Sequence, residues 1–301
     1  MKVSKHIAEA IINHPEHQYL NLIRRTINHG IKTRGRNGTT RSLIGETMKF
    51  DLKNKTLPLI TTKRLAWKTC LKELFWFMEG NTCNKDLKNQ NVNIWNANAT
   101  RDFLDSRGLY DREEDDLGPI YGHQWRHFNA TYIDSKTNYK NKGVDQLTSV
   151  VNMLKDKEIR QSRRIIMSAW NPIQLDEMAL PPCHVLSQFV VKNNQLTTLL
   201  YQRSGDIGLG IPFNIASYSF LTHILAKHCD LEAKEFIHFI GDAHIYEEHV
   251  DALSEQIKRE PYPFPKIEII KKCESIDDYK MKHIKVDNYI YREKINMTMK
   301  S

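Results

Sequence analysis

The middle of the chain contains two strand patterns that are separated by a short turn signal. Residues 185–191 (VLSQFVV) and 195–202 (QLTTLLYQ) are rich in apolar and β-branched side chains. Between them lies Lys192-Asn193-Asn194, and asparagine tolerates the positive φ angles that tight hairpin turns require. The pattern predicts a β-hairpin, so this part of the chain is expected to form an antiparallel strand pair.

The register of this hairpin brings a cysteine close to an arginine. If the turn centres on Asn193-Asn194, His184 faces Arg203, within a slip of one or two residues. The other pairs expected at this end are Val185 with Gln202 and Cys183 with Ser204. A guanidinium near a thiol favours the thiolate and lowers the thiol pKa, so we expect Cys183 to be a nucleophile rather than a buried apolar residue. His184 is expected to have a structural or supporting part, because neighbouring strand residues point to opposite faces.

The rest of the chain mixes helix and strand patterns without a regular βαβ alternation. Helical spacing of apolar residues predicts helices at 17–30, 66–80, 145–157 and 215–229. A strand is expected at 163–170, and another from 236 to Gly241, after which Asp242 is expected to be the N-cap of a helix. Loops are expected at 33–45, which is rich in Gly and Arg, and at 100–120 and 128–144. We predict a single α+β domain, in which a large, mostly sequential sheet containing antiparallel strands packs with helices.

Composition excludes several classes of protein. The 301 residues are 40% hydrophobic and 27% charged, no run approaches the roughly 18 apolar residues of a membrane span, and the N-terminus lacks a signal-peptide pattern. Five cysteines without CxxC spacing indicate reduced thiols and neither a disulfide framework nor a metal site, which favours the cytoplasm, or the nucleus as well if the source is viral. The net charge of +8 is spread along the chain without a nucleic-acid-binding motif. We expect most of this charge to be solvated surface, and a minority to face an anionic small molecule.

Glu73 lies inside the apolar helix pattern at 66–80, with Cys70 at i−3 and Phe77 at i+4. A carboxylate among apolar neighbours either finds a partner or has a raised pKa, and such groups act as general acids or bases near pH 7. The alternative is a glutamate that reaches solvent at the edge of the helix. The residues alone leave both open.

Four arginines are candidates for binding phosphate, because planar guanidiniums suit bidentate contacts with phosphate oxygens. Arg36 lies in the Gly-rich loop, Arg203 closes the hairpin, and the pair Arg163 and Arg164 enters the strand at 163–170. Adjacent strand residues point oppositely, so one of the pair is expected to reach a neighbouring subunit. Surface arginines at strand ends remain the alternative. Asn214, before the helix at 215–229, is either an N-cap or an amide that reads the edge of a heteroaromatic ring.

Seven stretches together resemble the thymidylate synthase family, in its animal-type form. They are LPLITTKR (57–64), KELFWFMEGNT (72–82), DLGPIYGHQWRHF (116–128), RRIIMSAWNP (163–172), MALPPCH (178–184), YQRSGDIGLGIPFNIASY (201–218) and GDAHIY (241–246). The likeness predicts an N-terminal extension at 1–16 and a family domain at 17–301, of which 286–301 is a divergent tail.

The resemblance implies a reductive methylation of deoxyuridylate (dUMP) to thymidylate (dTMP), with 5,10-methylenetetrahydrofolate as donor of the carbon and the hydride. It implies that the thiolate of Cys183 adds to C6 of the pyrimidine, with Glu73 as a proton relay through water. It also implies a homodimer with shared sites, in which Arg163 and Arg164 come from the partner subunit, and no metal. Asn214 would select uracil over cytosine.

The remaining roles that the resemblance implies fall into three groups. Tyr121, His184, Arg203 and Asp206 would support the chemistry; Arg36, Arg203, Ser204, Gln202, His244 and Tyr246 would bind the nucleotide; and Ile94, Trp95, Asn98, Asp206, Leu209, Gly210 and Phe213 would bind the folate.

Two segments depart from the family pattern. The loop Gly35-Arg36-Asn37-Gly38 is one residue shorter, and the tail Tyr289–Ser301 lacks the family's prolines and its final valine. Because tail closure excludes water, a deoxyuridylate hydroxymethylase is a second hypothesis. A catalytically weak homologue that binds nucleotides or nucleic acid is a third.

Overall fold

The computed structural model describes residues 14–35 and 38–299. The expectation for Arg36 as a phosphate ligand falls on a residue outside these ranges, as does most of the predicted extension. The helices are α1 His17–His29, α2 Trp67–Met78, α3 Asn84–Lys88, α4 Arg101–Ser106, α5 Tyr121–His127, α6 Gln146–Lys155, α7 Gly210–His228 and α8 Val250–Gln256. The strands are β1 Ile31–Gly35, β2 Gly38–Asp51, β3 Ile166–Ser168, β4 His184–Lys192, β5 Gln195–Asp206, β6 Glu232–Tyr246, β7 Lys266–Ile269 and β8 Ile284–Asp287.

A six-stranded mixed sheet, in the order β1-β2-β6-β5-β4-β3, organises the domain, and β7 and β8 form a separate ribbon. All neighbours in the large sheet are antiparallel except β5 and β6. That parallel pair is connected by α7, because parallel neighbours need a crossover that returns the chain to the same end of the sheet. The α+β class is confirmed, and the strand order is mostly sequential, since β2 and β6 are the one neighbouring pair that is not consecutive in the described chain.

One face of the sheet is buried by helices. Helix α7 is buried on nearly all sides and packs against β5, β6 and α2. The largest fully buried side chains of this core include Trp76, Trp125, Phe189 and Phe236. Burial on both sides explains why α7 shows a nearly continuous apolar sequence rather than an amphipathic stripe.

The opposite face of the sheet presents apolar side chains to solvent. Phe239 and Tyr201 are paired across β6 and β5, and Tyr201 is paired with Leu186 of β4. Phe239 is 38% exposed and Tyr201 45% exposed, and Ile44 on β2 is 69% exposed. A contiguous apolar patch on a sheet is typical of a protein interface.

The predicted hairpin is present, with a local change in its register. Asn193 and Asn194 have φ angles of 51° and 62°, as the tight turn requires. The predicted register holds from the turn to Leu186, where a bulge intervenes and His184 pairs with Gln202 instead of Arg203. The main-chain N–H of Arg203 therefore donates to the carbonyl of Cys183, at 2.9 Å. The bulge places the cysteine beside the arginine rather than beside Ser204.

Four sequence predictions about local structure are wrong. Residues 33–35 and 38–45 belong to the paired strands β1 and β2 rather than to a loop, and residues 100–120 include helix α4. Asp242 is not an N-cap, because β6 is paired on both sides and continues through Gly241 to Tyr246. The predicted strand at 163–170 shrinks to β3, so Arg163 and Arg164 are exposed turn residues and the alternation argument does not apply to them.

Asn214 is also not an N-cap, because α7 begins at Gly210 and places it in the second turn. Pro212 permits this early start. Proline is tolerated in the first turn of a helix, where its missing N–H would have no helical partner.

Candidate active site

Cys183 is held by contacts to its main chain. Its N–H donates to the hydroxyl of Tyr121 at 2.7 Å. The guanidinium of Arg203 donates to the carbonyls of Pro182 (Nε, 2.9 Å) and Pro181 (Nη2, 3.0 Å). The arginine thus fixes the Pro-Pro-Cys turn and lies near the thiol at the same time.

Two opposing effects act on the thiol. Burial raises the pKa of Cys183, and the charge of Arg203 lowers it by a smaller amount. The expectation of a net lowered pKa is therefore wrong for the free protein. The desolvation of a thiolate in this pocket outweighs one neighbouring guanidinium.

His184 is not a cationic partner for the thiol. Burial lowers its pKa to about 4, so the ring is neutral at pH 7. The ring centroid lies 5.1 Å from that of Tyr121 and 5.3 Å from that of Tyr218. These contacts fit the structural part expected of it.

Glu73, on α2, is half-buried and has a hydrogen-bond partner. The indole Nε1 of Trp95 donates to its Oε1 at 2.7 Å. Burial raises the pKa of Glu73 to about 7, and the indole hydrogen bond opposes the rise. A carboxyl group with this pKa can both give and accept a proton near neutral pH, as a general acid or base must.

Aromatic contacts connect Glu73 to Cys183. The rings of Trp95 and Tyr121 lie 6.1 Å apart, and the hydroxyl of Tyr121 accepts from the N–H of Cys183. Residues separated by 110 positions in sequence therefore belong to one connected site.

A cleft of about 590 Å³ opens beside this cysteine turn. Arg203, Ser204, His244 and Tyr246, all predicted nucleotide ligands, line it together with Asp242. The imidazole Nδ1 of His244 lies 3.3 Å from Oδ1 of Asp242. Gly35 and Gly38, which flank Arg36 and Asn37 in the chain, also line the cleft.

Arg163 and Arg164 do not belong to this cleft within one chain. They precede β3, at the edge of the sheet opposite β1, whereas the cleft lies at β1, β2, β5 and β6. Both side chains are exposed.

A series of hydrogen bonds from His238 through Gln202 orients the amide of Asn214. Nε2 of His238 is 2.8 Å from Oε1 of Gln202, and Nε2 of Gln202 donates to Oδ1 of Asn214 at 2.9 Å. Burial lowers the pKa of His238 to about 3, so the imidazole is neutral and its Nε2–H donates to Gln202. Sequence reasoning missed His238. The signal was its place between Phe236 and Ile240, on the buried face of the strand.

The predicted folate residues lie on two segments, 94–98 and 206–213, and helix α2 contacts both of them. Trp95 and Asn98 are buried, and Nδ2 of Asn98 has no hydrogen-bond partner within the described part of the protein. Asp206 ends β5 and accepts from the N–H of Gly208 at 2.8 Å, while the carbonyl of Phe213 accepts from the thiol of Cys70 at 3.3 Å. Ile94 and Phe213 are half-buried against the core, and Leu209 and Gly210 begin α7.

This second group of residues combines apolar surface with polar groups. It offers aromatic and aliphatic surface, a carboxylate on Asp206 and an unused buried amide donor on Asn98. Among residues 14–35 and 38–299, the structure contains no group of three or more side chains placed to hold a metal ion. No helix within those ranges is long and apolar enough to span a bilayer.

Comparisons with known proteins show which family the chain belongs to. A family model for thymidylate synthase matches residues 17–301. The chain belongs to the thymidylate synthase family. It is 50% identical to human thymidylate synthase over 287 residues, which cover 95% of this chain and 91% of the human protein. It is 47% identical to the thymidylate synthase of equine herpesvirus 2, over 96% of this chain and 99% of the viral one.

Longer relatives also match this family. The bifunctional dihydrofolate reductase-thymidylate synthase of Plasmodium berghei is 50% identical over 95% of this chain, but the match covers 49% of that protein. The corresponding protein of Paramecium tetraurelia is covered over 61% of its length. The chain thus spans half to three fifths of these bifunctional relatives.

Proposed function

We propose that the protein is a folate-dependent thymidylate synthase that converts dUMP to dTMP. The observation that carries the proposal is the connection of Cys183, through Tyr121 and Trp95, to a glutamate whose pKa is about 7. A nucleophile and a neutral-range acid or base in one partly dry site suit covalent catalysis at an electron-poor ring.

Each half of the site would hold one substrate. The cleft at Arg203, Ser204, His244 and Tyr246 would bind the phosphate and deoxyribose of dUMP, with Arg36 as a further phosphate ligand. The amide of Asn214, oriented by Gln202, would hydrogen-bond the uracil edge. Ile94, Trp95, Asn98, Asp206, Leu209, Gly210 and Phe213 would bind methylenetetrahydrofolate, which supplies the one-carbon unit and the hydride.

The side chains then have separate tasks in the reaction. The sulfur of Cys183 bonds to C6 of the pyrimidine, which makes C5 nucleophilic, and the bond is broken again when the product leaves. Since the thiol of the free protein is mostly protonated, its proton must pass to a base or water as the bond forms. Glu73 would move a proton to and from O4 through water, and Arg203 would stabilise the developing thiolate.

We propose that the protein acts as a homodimer. The exposed apolar face of the sheet, with Tyr201 and Phe239 at its centre, supplies a surface that association would bury. Arg163 and Arg164 are exposed and remote from their own cleft, so they are free to reach the phosphate bound by a partner subunit. The cytoplasm is the compartment that suits the unpaired cysteines.

The comparisons do not favour the two alternatives, a deoxyuridylate hydroxymethylase and a catalytically weak binding protein. One assay separates all three. The protein is incubated with dUMP and methylenetetrahydrofolate, the absorbance of dihydrofolate is followed, and the nucleotide is identified by mass. Thymidylate with dihydrofolate supports the proposal. Hydroxymethyldeoxyuridylate with tetrahydrofolate, or a folded protein without turnover, would overturn it.

A further inference from the structure

Glu16 is a carboxylate with no exposed surface, placed directly before α1. Its two oxygens accept four hydrogen bonds from two adjacent threonines. Oε2 accepts from the N–H (2.8 Å) and hydroxyl (2.6 Å) of Thr61, and Oε1 accepts from the N–H (2.9 Å) and hydroxyl (2.6 Å) of Thr62. The mechanism proposed above does not use this group.

Burial raises the pKa of Glu16, and the hydrogen bonds from Thr61 and Thr62 oppose that rise because they favour the ionised carboxylate. The hydroxyl of Thr62 accepts from Nε2 of Gln256 at 2.9 Å, and that of Thr61 accepts from the N–H of Tyr262 at 2.9 Å. Each hydroxyl proton is then left to point at Glu16, and the 2.6 Å separations are typical of hydroxyl-to-carboxylate bonds. A 3.3 Å contact from Thr61 Oγ1 to the carbonyl of Tyr262 is longer and weaker.

The carbonyls of this same stretch hold the C-terminal tail. The N–H of Arg292 donates to the carbonyl of Thr61 at 2.7 Å. Nη1 of Arg259 bridges the carbonyls of Thr62 (2.9 Å) and Glu293 (2.7 Å). Thr61 and Thr62 thus donate their N–H and hydroxyl groups to Glu16, while their carbonyls accept hydrogen bonds from Arg292 of the tail and from Arg259, which also binds the tail.

The next residue connects the stretch to the proposed folate segment. Nζ of the buried Lys63 donates to the carbonyl of Gly208, two residues after Asp206. The tail returns to the same place, since the sulfur of Met297 lies 3.1 Å from where a Cβ on Gly208 would stand. Residues 61–63 therefore contact both the C-terminal tail and the segment at Gly208, the two parts that would enclose a folate.

We propose that Glu16 is a positioning residue for closure over the folate, acting through Thr61 and Thr62 on the tail. The part of the inference that concerns folate rests on the proposed function. The structural part, that Glu16 keeps the tail docked, is independent of it. It assigns a role to a residue within the segment that sequence alone suggested to be an extension. A tail that is loosely held would admit water to the site and weaken folate binding, while the nucleotide cleft would stay intact.

The test compares Glu16→Gln with Glu113→Gln, a matched change in an exposed ion pair with Lys136. In Glu16→Gln, one carboxylate oxygen becomes an NH₂ group. This group faces the N–H and hydroxyl donors of one threonine and cannot accept their hydrogen bonds. We expect hydrogen–deuterium exchange at the amide of Arg292 to become about tenfold faster in Glu16→Gln, because a buried donor is left unsatisfied. We expect KM for the folate to rise about tenfold, with equilibrium binding of dUMP within about twofold of the parent. Proton release from C5 should exceed dihydrofolate formation, because water then reaches the site.

Further variants separate local unfolding from tail docking. Thr62→Ser, which keeps the hydroxyl, should behave as the parent, and Thr62→Val should resemble Glu16→Gln. Arg259→Ala removes the bridge to the tail, so its effect on folate KM should not add to that of Glu16→Gln. Unchanged exchange at Arg292 in Glu16→Gln, or an equal loss of dUMP and folate binding, would overturn the inference. If the parent itself makes no dihydrofolate, the proposed function fails, and the exchange experiment still decides whether Glu16 docks the tail.

Discussion

Trp95 donates its indole N–H to Oε1 of Glu73 across 2.7 Å. This bond joins a candidate folate residue to the candidate proton relay. It also acts on the relay's pKa, because a donor to the carboxylate favours the ionised form while burial favours the neutral one. Trp95 therefore links the proposed folate site to the protonation of Glu73.

Trp95→Phe should raise the pKa of Glu73 above its present value of about 7. The ring remains but the donor is lost, so only the effect that lowers the pKa disappears. The limb of the kcat/KM profile that reports Glu73 should move to higher pH. Trp76→Phe is the matched control, since its indole donates to the carbonyl of Cys83 instead. A limb that stays in place or moves to lower pH in Trp95→Phe would contradict the assignment.

Glu73→Gln should lower kcat by about 10²- to 10⁴-fold, the usual contribution of a general acid or base. It should also change how stability depends on pH. The folded pKa of Glu73 is raised from 4.5 to about 7, so the folded protein holds this proton more tightly and loses stability as pH rises through that window. Relative to the parent, the variant should gain at most about 3 kcal/mol in free energy of unfolding between pH 4.5 and 8. Denaturant titrations at several pH values measure this, and parallel curves for the two proteins would refute it.

Cys183→Ala should abolish turnover and leave dUMP binding largely intact, because in the proposed mechanism the sulfur forms the bond to C6 while other groups hold the phosphate and sugar. Cys83→Ala, at a half-buried cysteine, is the control. Turnover by Cys183→Ala would end the covalent mechanism.

Arg203→Met should raise the thiol pKa of Cys183 further, since the guanidinium is the group that lowers it. The rate of iodoacetamide alkylation at Cys183, followed by mass against pH, should shift to higher pH in the variant. A shift to lower pH would show that the charge of Arg203 does not stabilise the thiolate.

Mixing two inactive variants should restore activity if sites are shared. Cys183→Ala lacks the nucleophile, and the double change Arg163→Ala with Arg164→Ala lacks the proposed phosphate contacts of the partner subunit. After exchange of subunits, a heterodimer has one site with both functions, so turnover should recover. Phe239→Glu, which places a charge at the centre of the exposed apolar face, should prevent the recovery and give monomers by sedimentation. A mixture as inactive as its components would argue that the arginines serve another purpose.

Much of this protein could be read from local sequence. The Asn193-Asn194 turn, the α+β class, and helices α1, α2 and α6 follow from residue type and periodicity, which act within a few positions. The candidate nucleophile and the oddity of Glu73 were also visible, because a polar group in an apolar helix stands out without any knowledge of the fold. The family resemblance then identified the residues that line the cleft.

The tertiary structure decided what depends on distant partners. Strand β6 continues past Gly241, where the sequence predicted its end, because it is paired on both sides. A bulge at Val185 determines that Cys183, rather than His184, lies beside Arg203. Burial, which sums contributions from the whole fold, raised the thiol pKa of Cys183 where a single neighbour suggested the opposite. The link from Glu16 through Thr61 to Arg292 spans almost the entire chain. Local sequence determined the elements and their chemistry, and only the packed fold determined their desolvation and their partners, because both arise from residues far apart in sequence.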